Sequence, residues 1–174
     1  MKYIYLIISF FCFQLGFAQQ DIFDVARTGT VEEVKAIMKQ NPEAINSVNP
    51  DGYSPLILAC YRGNIAVANF LIHNVKDING SSSMGTPLMA AVVKKNIEIV
   101  KLLLDNKANP NISDASGTTA LMFATIFKHY EIVEMLLKAA AIQDLKDIRG
   151  KSAIDYATIS NDEKLIQIFK EHKL

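Results

Sequence analysis

The chain has 174 residues, half of them apolar, which is the length of one domain with enough hydrophobic material for a continuous core. Its 18 basic and 18 acidic residues cancel, which argues against nucleic acid or an anionic lipid surface as partner, since either draws affinity from a clustered basic excess. Charge runs such as Lys94-Lys95 and Asp162-Glu163-Lys164 are short and read as solvated helix ends.

The first element in chain order reads as a targeting segment. Met1-Lys2 supplies a positive start, residues 3–15 form a nearly unbroken apolar stretch, and Gly16-Phe17-Ala18 closes it with small residues suited to cleavage after Ala18. The apolar run of about thirteen residues falls short of the roughly 20 that a spanning helix requires. No stable membrane anchor is therefore expected after cleavage; a retained anchor is the alternative. Phe10 and Phe11 precede Cys12 where a lipoprotein signal needs small residues, so Cys12 is assigned to the leader. Cys60 would then be alone, unable to form an intramolecular disulfide, and is expected to act as a small buried apolar residue. The expected location is outside the cytoplasm: the bacterial periplasm, or the extracellular medium.

Beyond the leader, the chain repeats itself. Ser54-Pro55-Leu56-Ile57 returns as Thr86-Pro87-Leu88-Met89, Thr119-Ala120-Leu121-Met122 and Ser152-Ala153-Ile154-Asp155, with residues 56, 88, 121 and 154 stepping by 32, 33 and 33. A period of this length marks a repeat array, in which each unit buries its apolar face only when neighbours stack on it. Residues 21–50 keep Ile22, Ala26, Gly29, Val34 and Ile37 in register without the Thr-Pro pair, as an N-terminal cap would. Repeats follow at about 51–83, 84–115 and 116–148, and a more polar capping repeat at 149–174.

Each unit is composed alike. Gly52, Gly117 and Gly150 end a turn that favours positive φ. Ser54, Thr86, Thr119 and Ser152 are placed to cap a helix, and Pro55 and Pro87 suit its first position. Leu56, Leu88, Leu121 and Ile154 then face the core, with Ala59, Ala91, Ala124 and Ala157 allowing close helix approach. After a break near Gly63-Asn64, Lys95-Asn96 and Lys128-His129, a second helix carries its apolar residues on one face: Val67, Phe70 and Leu71, then Ile99, Leu102 and Leu103, then Ile132, Met135 and Leu136. Such short helices need stacking to persist. The loop 78–85 is one residue shorter than its counterparts.

The pattern D-x-x-G-x-T-P-L-x-x-A followed by I-V-x-x-L-L is matched at residues 51–72, 86–104 and 114–137, and it resembles the ankyrin repeat family. The resemblance implies an all-α solenoid of helix-turn-helix units with short β-hairpin fingers. It also implies that the finger tips and the open positions of the first helices line a concave binding face. Carried over by register, the binding positions are Tyr53, Tyr61, Arg62, Met89, Val93, Lys94, Met122, Ile126, Phe127 and Arg149, with Met84 at a finger tip. Two readings stand open for Met89, Met122 and Ile126: part of an apolar groove, or packing between neighbouring first helices.

Residues suited to catalysis or metal binding do not converge in sequence. His73, His129 and His172 lack partners at zinc-ligand spacing, there is no phosphate-binding glycine loop, and Asp114 and Asp147 share a turn position suited to bonding finger backbone. The N-x-[ST] matches at Asn79 and Asn111 are read as finger residues rather than glycan sites. The expected function is that of an exported, monomeric, non-enzymatic scaffold without cofactor or metal, binding a partner protein on the concave side. A peptide or small-molecule binder using the same groove is the alternative.

Overall fold

The computed structural model describes residues 21–83 and 85–172; the leader read into residues 1–18 and the finger residue Met84 lie outside them. Five helix pairs follow one another among the described residues. They are α1 (Ile22–Thr28) with α2 (Val31–Gln40), α3 (Pro55–Arg62) with α4 (Ile65–Ile72), α5 (Pro87–Val93) with α6 (Ile97–Asp105), α7 (Ala120–Ile126) with α8 (Tyr130–Lys138), and α9 (Ala153–Ile159) with α10 (Glu163–Glu171). A 3-10 turn, Pro42–Asn46, follows α2. Each first helix packs on the first helix of the next unit and each second helix on the next second helix, so the pairs stack as a solenoid. No helix among the described residues is long and apolar enough to cross a membrane.

Local chemistry sets the helix boundaries. The hydroxyls of Ser54, Thr86, Thr119 and Ser152 accept from the backbone N–H groups of Ile57, Met89, Met122 and Asp155 at 3.2, 3.3, 3.3 and 3.3 Å. Each cap satisfies a donor that the helix start leaves open. Between the two helices of a unit the chain passes through left-handed φ at one register: Gly63 (76°), Lys95 (55°), Lys128 (56°) and Asn161 (48°). Gly63 takes this conformation without strain, whereas a side chain there costs about 1–2 kcal/mol. The next residue opens the second helix. Asn64, Asn96 and Asp162 cap it with their side chains, while His129 instead reaches the Val92 carbonyl of the preceding unit, Nδ1 to O 3.1 Å.

The fingers form tight loops instead of hairpin strands. Only two isolated antiparallel bridges occur among the described residues, Ser82 with Gly85 and Ser113 with Thr119. In three fingers the backbone N–H groups of Asn49, Asp114 and Asp147 donate to the carbonyls of Tyr53, Thr118 and Lys151. Their side-chain Oδ1 atoms accept in return from the N–H groups of those same residues at 2.8, 2.9 and 2.9 Å. The second finger closes one residue earlier, Ser82 and Gly85 exchanging both bonds at 3.0 Å, as the shorter loop requires.

A ladder of asparagines ties unit to unit. Oδ1 of Asn46, Asn79 and Asn111 accepts from the N–H groups of Lys76, Asn109 and Ile142, at 2.9, 2.8 and 2.7 Å. Asn111 also donates to the Ala140 carbonyl at 3.2 Å. The asparagines of both N-x-[ST] matches are therefore occupied by inter-unit bonds. Inside the stack, Leu56, Leu88 and Leu121 are buried, Ala59, Ala91, Ala124 and Ala157 completely so, and Ile154 only partly. Cys60 is fully buried, and desolvation pushes its thiol well above the ordinary range, leaving it an inert packing residue.

The final unit is held by carboxylates. Asp147 accepts from the Tyr156 hydroxyl and the N–H groups of Lys151 and Arg149; Asp155 accepts from Lys146, the Ser152 N–H and the Ser152 hydroxyl; Asp162 accepts from Lys128, the Leu165 N–H and the Tyr130 hydroxyl. All three are held below the usual carboxylate range, chiefly by the hydrogen bonds from Tyr156, Lys146 and Lys128 respectively. Depressed carboxylates contribute stability that is present above the unfolded pKa, near about 3.9, and lost as pH falls through the folded one. His129, lowered by desolvation, acts with the same sign from about pH 6.5 downward. On acidification below about pH 4, amides of α9 and α10 should therefore lose hydrogen-exchange protection before those of α3 to α6, and Asp162→Asn should flatten that acid dependence. Simultaneous loss along the whole array would contradict it.

Candidate partner-binding groove

The repeat period places equivalent positions of successive first helices side by side. At three registers along this side, the unit beginning near residue 51 carries Tyr53, Leu58 and Tyr61, the next carries Gly85, Ala90 and Val93, and the third carries Thr118, Phe123 and Ile126. Small residues thus stand between large ones. The consequence is a notch across the second unit, a cavity of about 420 Å³ lined by Tyr53, Ile57, Leu58, Tyr61, Thr86, Met89, Ala90, Val93, Phe123 and Phe127, with Arg27, Asp51 and Arg62 at its edge. Gly85 lies behind the floor with a φ of 101°, and a Cβ there would collide with Sδ of Met89.

The far wall is preorganised. Phe123 and Phe127, one helical turn apart, stack with centroids 6.2 Å apart and planes 9° apart, and the Phe127 ring lies 5.7 Å from that of His129. On the near wall, Lys94 holds its ammonium 4.7 Å from the centroid of the Tyr61 ring, a cation–π contact that fixes both side chains. Arg27 at one end is paired with Asp24 at 2.6 Å. Tyr61 and Phe127 remain 43% and 47% exposed, so both keep surface to offer.

Of the positions read from sequence, Tyr53, Tyr61, Arg62, Met89, Val93 and Phe127 come together here, and Lys94 abuts the groove through Tyr61. Met89 contributes from the floor, only 1% exposed. Met122, at the same register and equally buried, packs in the core and presents no surface to a partner. For these two methionines the helix-packing alternative is the structural one, because their register faces the seam between adjacent first helices. Ile126 is 44% exposed but does not line the cavity, and Arg149 stands apart on the exposed tip of the last finger. Phe123, Ala90 and Leu58 were not anticipated. The i, i+4 spacing of Phe123 and Phe127 was the available signal for the first.

Nothing in the arrangement gathers reactive groups. Among the described residues no three His, Cys, Asp or Glu side chains converge as metal ligands. The rings of His73, His129 and His172 each bond a backbone carbonyl, at 2.8, 3.1 and 2.9 Å. Asp114 and Asp147 bond their own finger backbones as expected.

A row of stacked helix pairs, with a groove cut across its first helices, defines a helical-repeat binding scaffold. A family model described as ankyrin repeats (3 copies) matches residues 22–114 and 88–173, and the chain belongs to the ankyrin repeat family. It is 36% identical over 102 residues to the rat (Rattus norvegicus) ankyrin repeat and SAM domain-containing protein 6, covering 58% of this chain and 12% of that protein. It is 35% identical over 97 residues to the human (Homo sapiens) BCL-6 corepressor-like protein 1, covering 55% of this chain and 5% of that one. An ankyrin repeat-containing protein of Treponema pallidum (strain Nichols) is 34% identical over 91 residues, 51% of this chain and 30% of its own length. The matched stretch is thus a small part of each relative. Ankyrin repeats generally mediate protein–protein interaction, and proteins built from them are generally non-catalytic scaffolds.

Proposed function

We propose that this protein is an exported, non-enzymatic scaffold that binds a partner protein through the groove across α3, α5 and α7. The notch made by Ala90 and Val93 between aromatic walls carries this reading. Concave apolar sites with large, partly exposed aromatics are where binding energy concentrates. Tyr53, Tyr61, Arg62, Val93, Lys94 and Phe127 are the contacts, over a Met89 floor. Ile126 and Arg149 belong to the wider footprint of a large partner. Export rests on the leader at residues 1–18. Intact mass of protein recovered from the envelope should give a chain beginning at Gln19, and a mass that retains Met1 would refute cleavage.

The decisive variant is Ala90→Phe, which fills the notch from a partly buried position that lines it. Affinity capture from an envelope extract should lose its specific partner with Ala90→Phe and with the pair Tyr61→Ser and Phe127→Ser, by about tenfold or more, hot-spot truncations commonly costing at least that much. Melting temperature should stay near that of the unmodified protein for Ala90→Phe. Unchanged capture in both variants would remove the groove from the function. A small-molecule ligand is favoured by one observation, the cavity volume of about 420 Å³, which lies within the roughly 300–1,000 Å³ of ligand pockets.

A further inference from the structure

We infer that the groove receives a protein segment in which a bulky apolar side chain is flanked by carboxylates. This rests on the groove reading above and adds the chemistry of the occupant. The notch takes the apolar group, and the flanking charge is set by the edge. Arg62 ends α3 and Lys94 caps α5 at the same register of adjacent units, so the two cations stand side by side at one lip. Among the described residues neither has a carboxylate partner, whereas Lys101 and Lys128 do. Asp51, at the finger end, is the one acid among the residues lining the cavity.

A cation near a helix C-terminus also complements the helix dipole, which by itself would account for Arg62 and Lys94. The third unit separates the two explanations: Phe127 occupies this register at the end of α7, and the helix closes with the same backbone pattern. The cations are thus not demanded by the fold. At that lip a carboxylate gains charge-assisted bonds, bidentate with the Arg62 fork. Lys94 is additionally steadied over the Tyr61 ring, so less freedom is lost when an anion docks. A basic segment would instead face like charge at that lip.

The test is selection of a displayed library of random dodecapeptides on the purified protein, counter-selected on Ala90→Phe. The expected result is enrichment of peptides with Phe, Leu or Trp flanked by Asp or Glu. A synthesised winner, followed by fluorescence anisotropy, should weaken by at least about tenfold in the double variant Arg62→Glu and Lys94→Glu, the loss of even one charge-assisted bond being worth about that much. Enrichment of neutral or basic flanks that still depends on Ala90 would overturn the charge assignment while leaving the groove in place. Acidic peptides that bind Ala90→Phe equally well would reduce the effect to surface attraction and overturn it too. A thermal shift from free phenylacetate with no peptide enrichment would assign the groove to a small acid and overturn the peptide reading. The capture comparison judges the groove independently of each.

Discussion

Leu121→Ala should lower the free energy of unfolding by about 2–5 kcal/mol, the range for emptying a buried leucine site. Leu121 is completely buried in α7, which packs on α5, α8 and α9. The cavity therefore opens where both faces of an inner unit meet their neighbours. Stability in a repeat array is close to a sum of unit and interface contributions, so one lesion here weakens two interfaces together. Against a total of about 5–15 kcal/mol for a domain, the loss is large. Urea denaturation should show a clearly lower midpoint; a smaller slope as well would mean that the two flanks now unfold separately. A change below about 1 kcal/mol would mean that the neighbouring helices collapse into the space.

The parts of the fold legible in sequence were those dictated by local chemistry. Ser54, Thr86, Thr119 and Ser152 cap helices where the repeat put them, because an open helix N-terminus selects a hydroxyl acceptor in any context. Ala59, Ala91, Ala124 and Ala157 are completely buried in the stack of first helices, as their small size allows. Asp114 and Asp147 proved to bond finger backbone for the same local reason. The candidate groove was only half legible. A periodic pattern reports which side chains are present, whereas the groove is made by side chains that are missing. Ala90 and Val93 matter because Tyr53, Leu58 and Tyr61 stand on one side and Phe123 on the other, a comparison across units that no single unit contains.

Met89 and Met122 show a second limit. Register assigned them to the open side, yet Ile57, Met89 and Met122 occupy one position and are 5%, 1% and 1% exposed. The first helices approach so closely, through their alanines, that the seam between them closes over this position. Whether a flank residue is open depends on the spacing between units, which sequence period alone does not report. The asparagines of the N-x-[ST] matches, read from sequence as finger residues, sit in the finger loops and bond the next unit, Asn79 through Oδ1 and Asn111 through both Oδ1 and Nδ2.

Phe169→Ala should cost about 3–5 kcal/mol by the measure of buried aromatic truncation, but the loss should stay local. Phe169 is the largest of the fully buried side chains, in α10. Among the described residues the unit formed by α9 and α10 stacks on one neighbour only, α9 against α7 and α10 against α8. One interface holds it, together with the carboxylate bonds of Asp147, Asp155 and Asp162. A deficit of this size can exceed what that interface supplies, so the unit opens before the array does, as local unfolding permits. Hydrogen exchange should show residues 153–171 unprotected while α3 to α8 keep protection, and circular dichroism should lose helix in proportion to α9 and α10 alone. The proposed peptide binding by the groove across α3, α5 and α7 should survive unchanged. A single cooperative transition with the original urea slope would instead mean that the last unit is coupled as tightly as the inner ones, and that the array unfolds as one body.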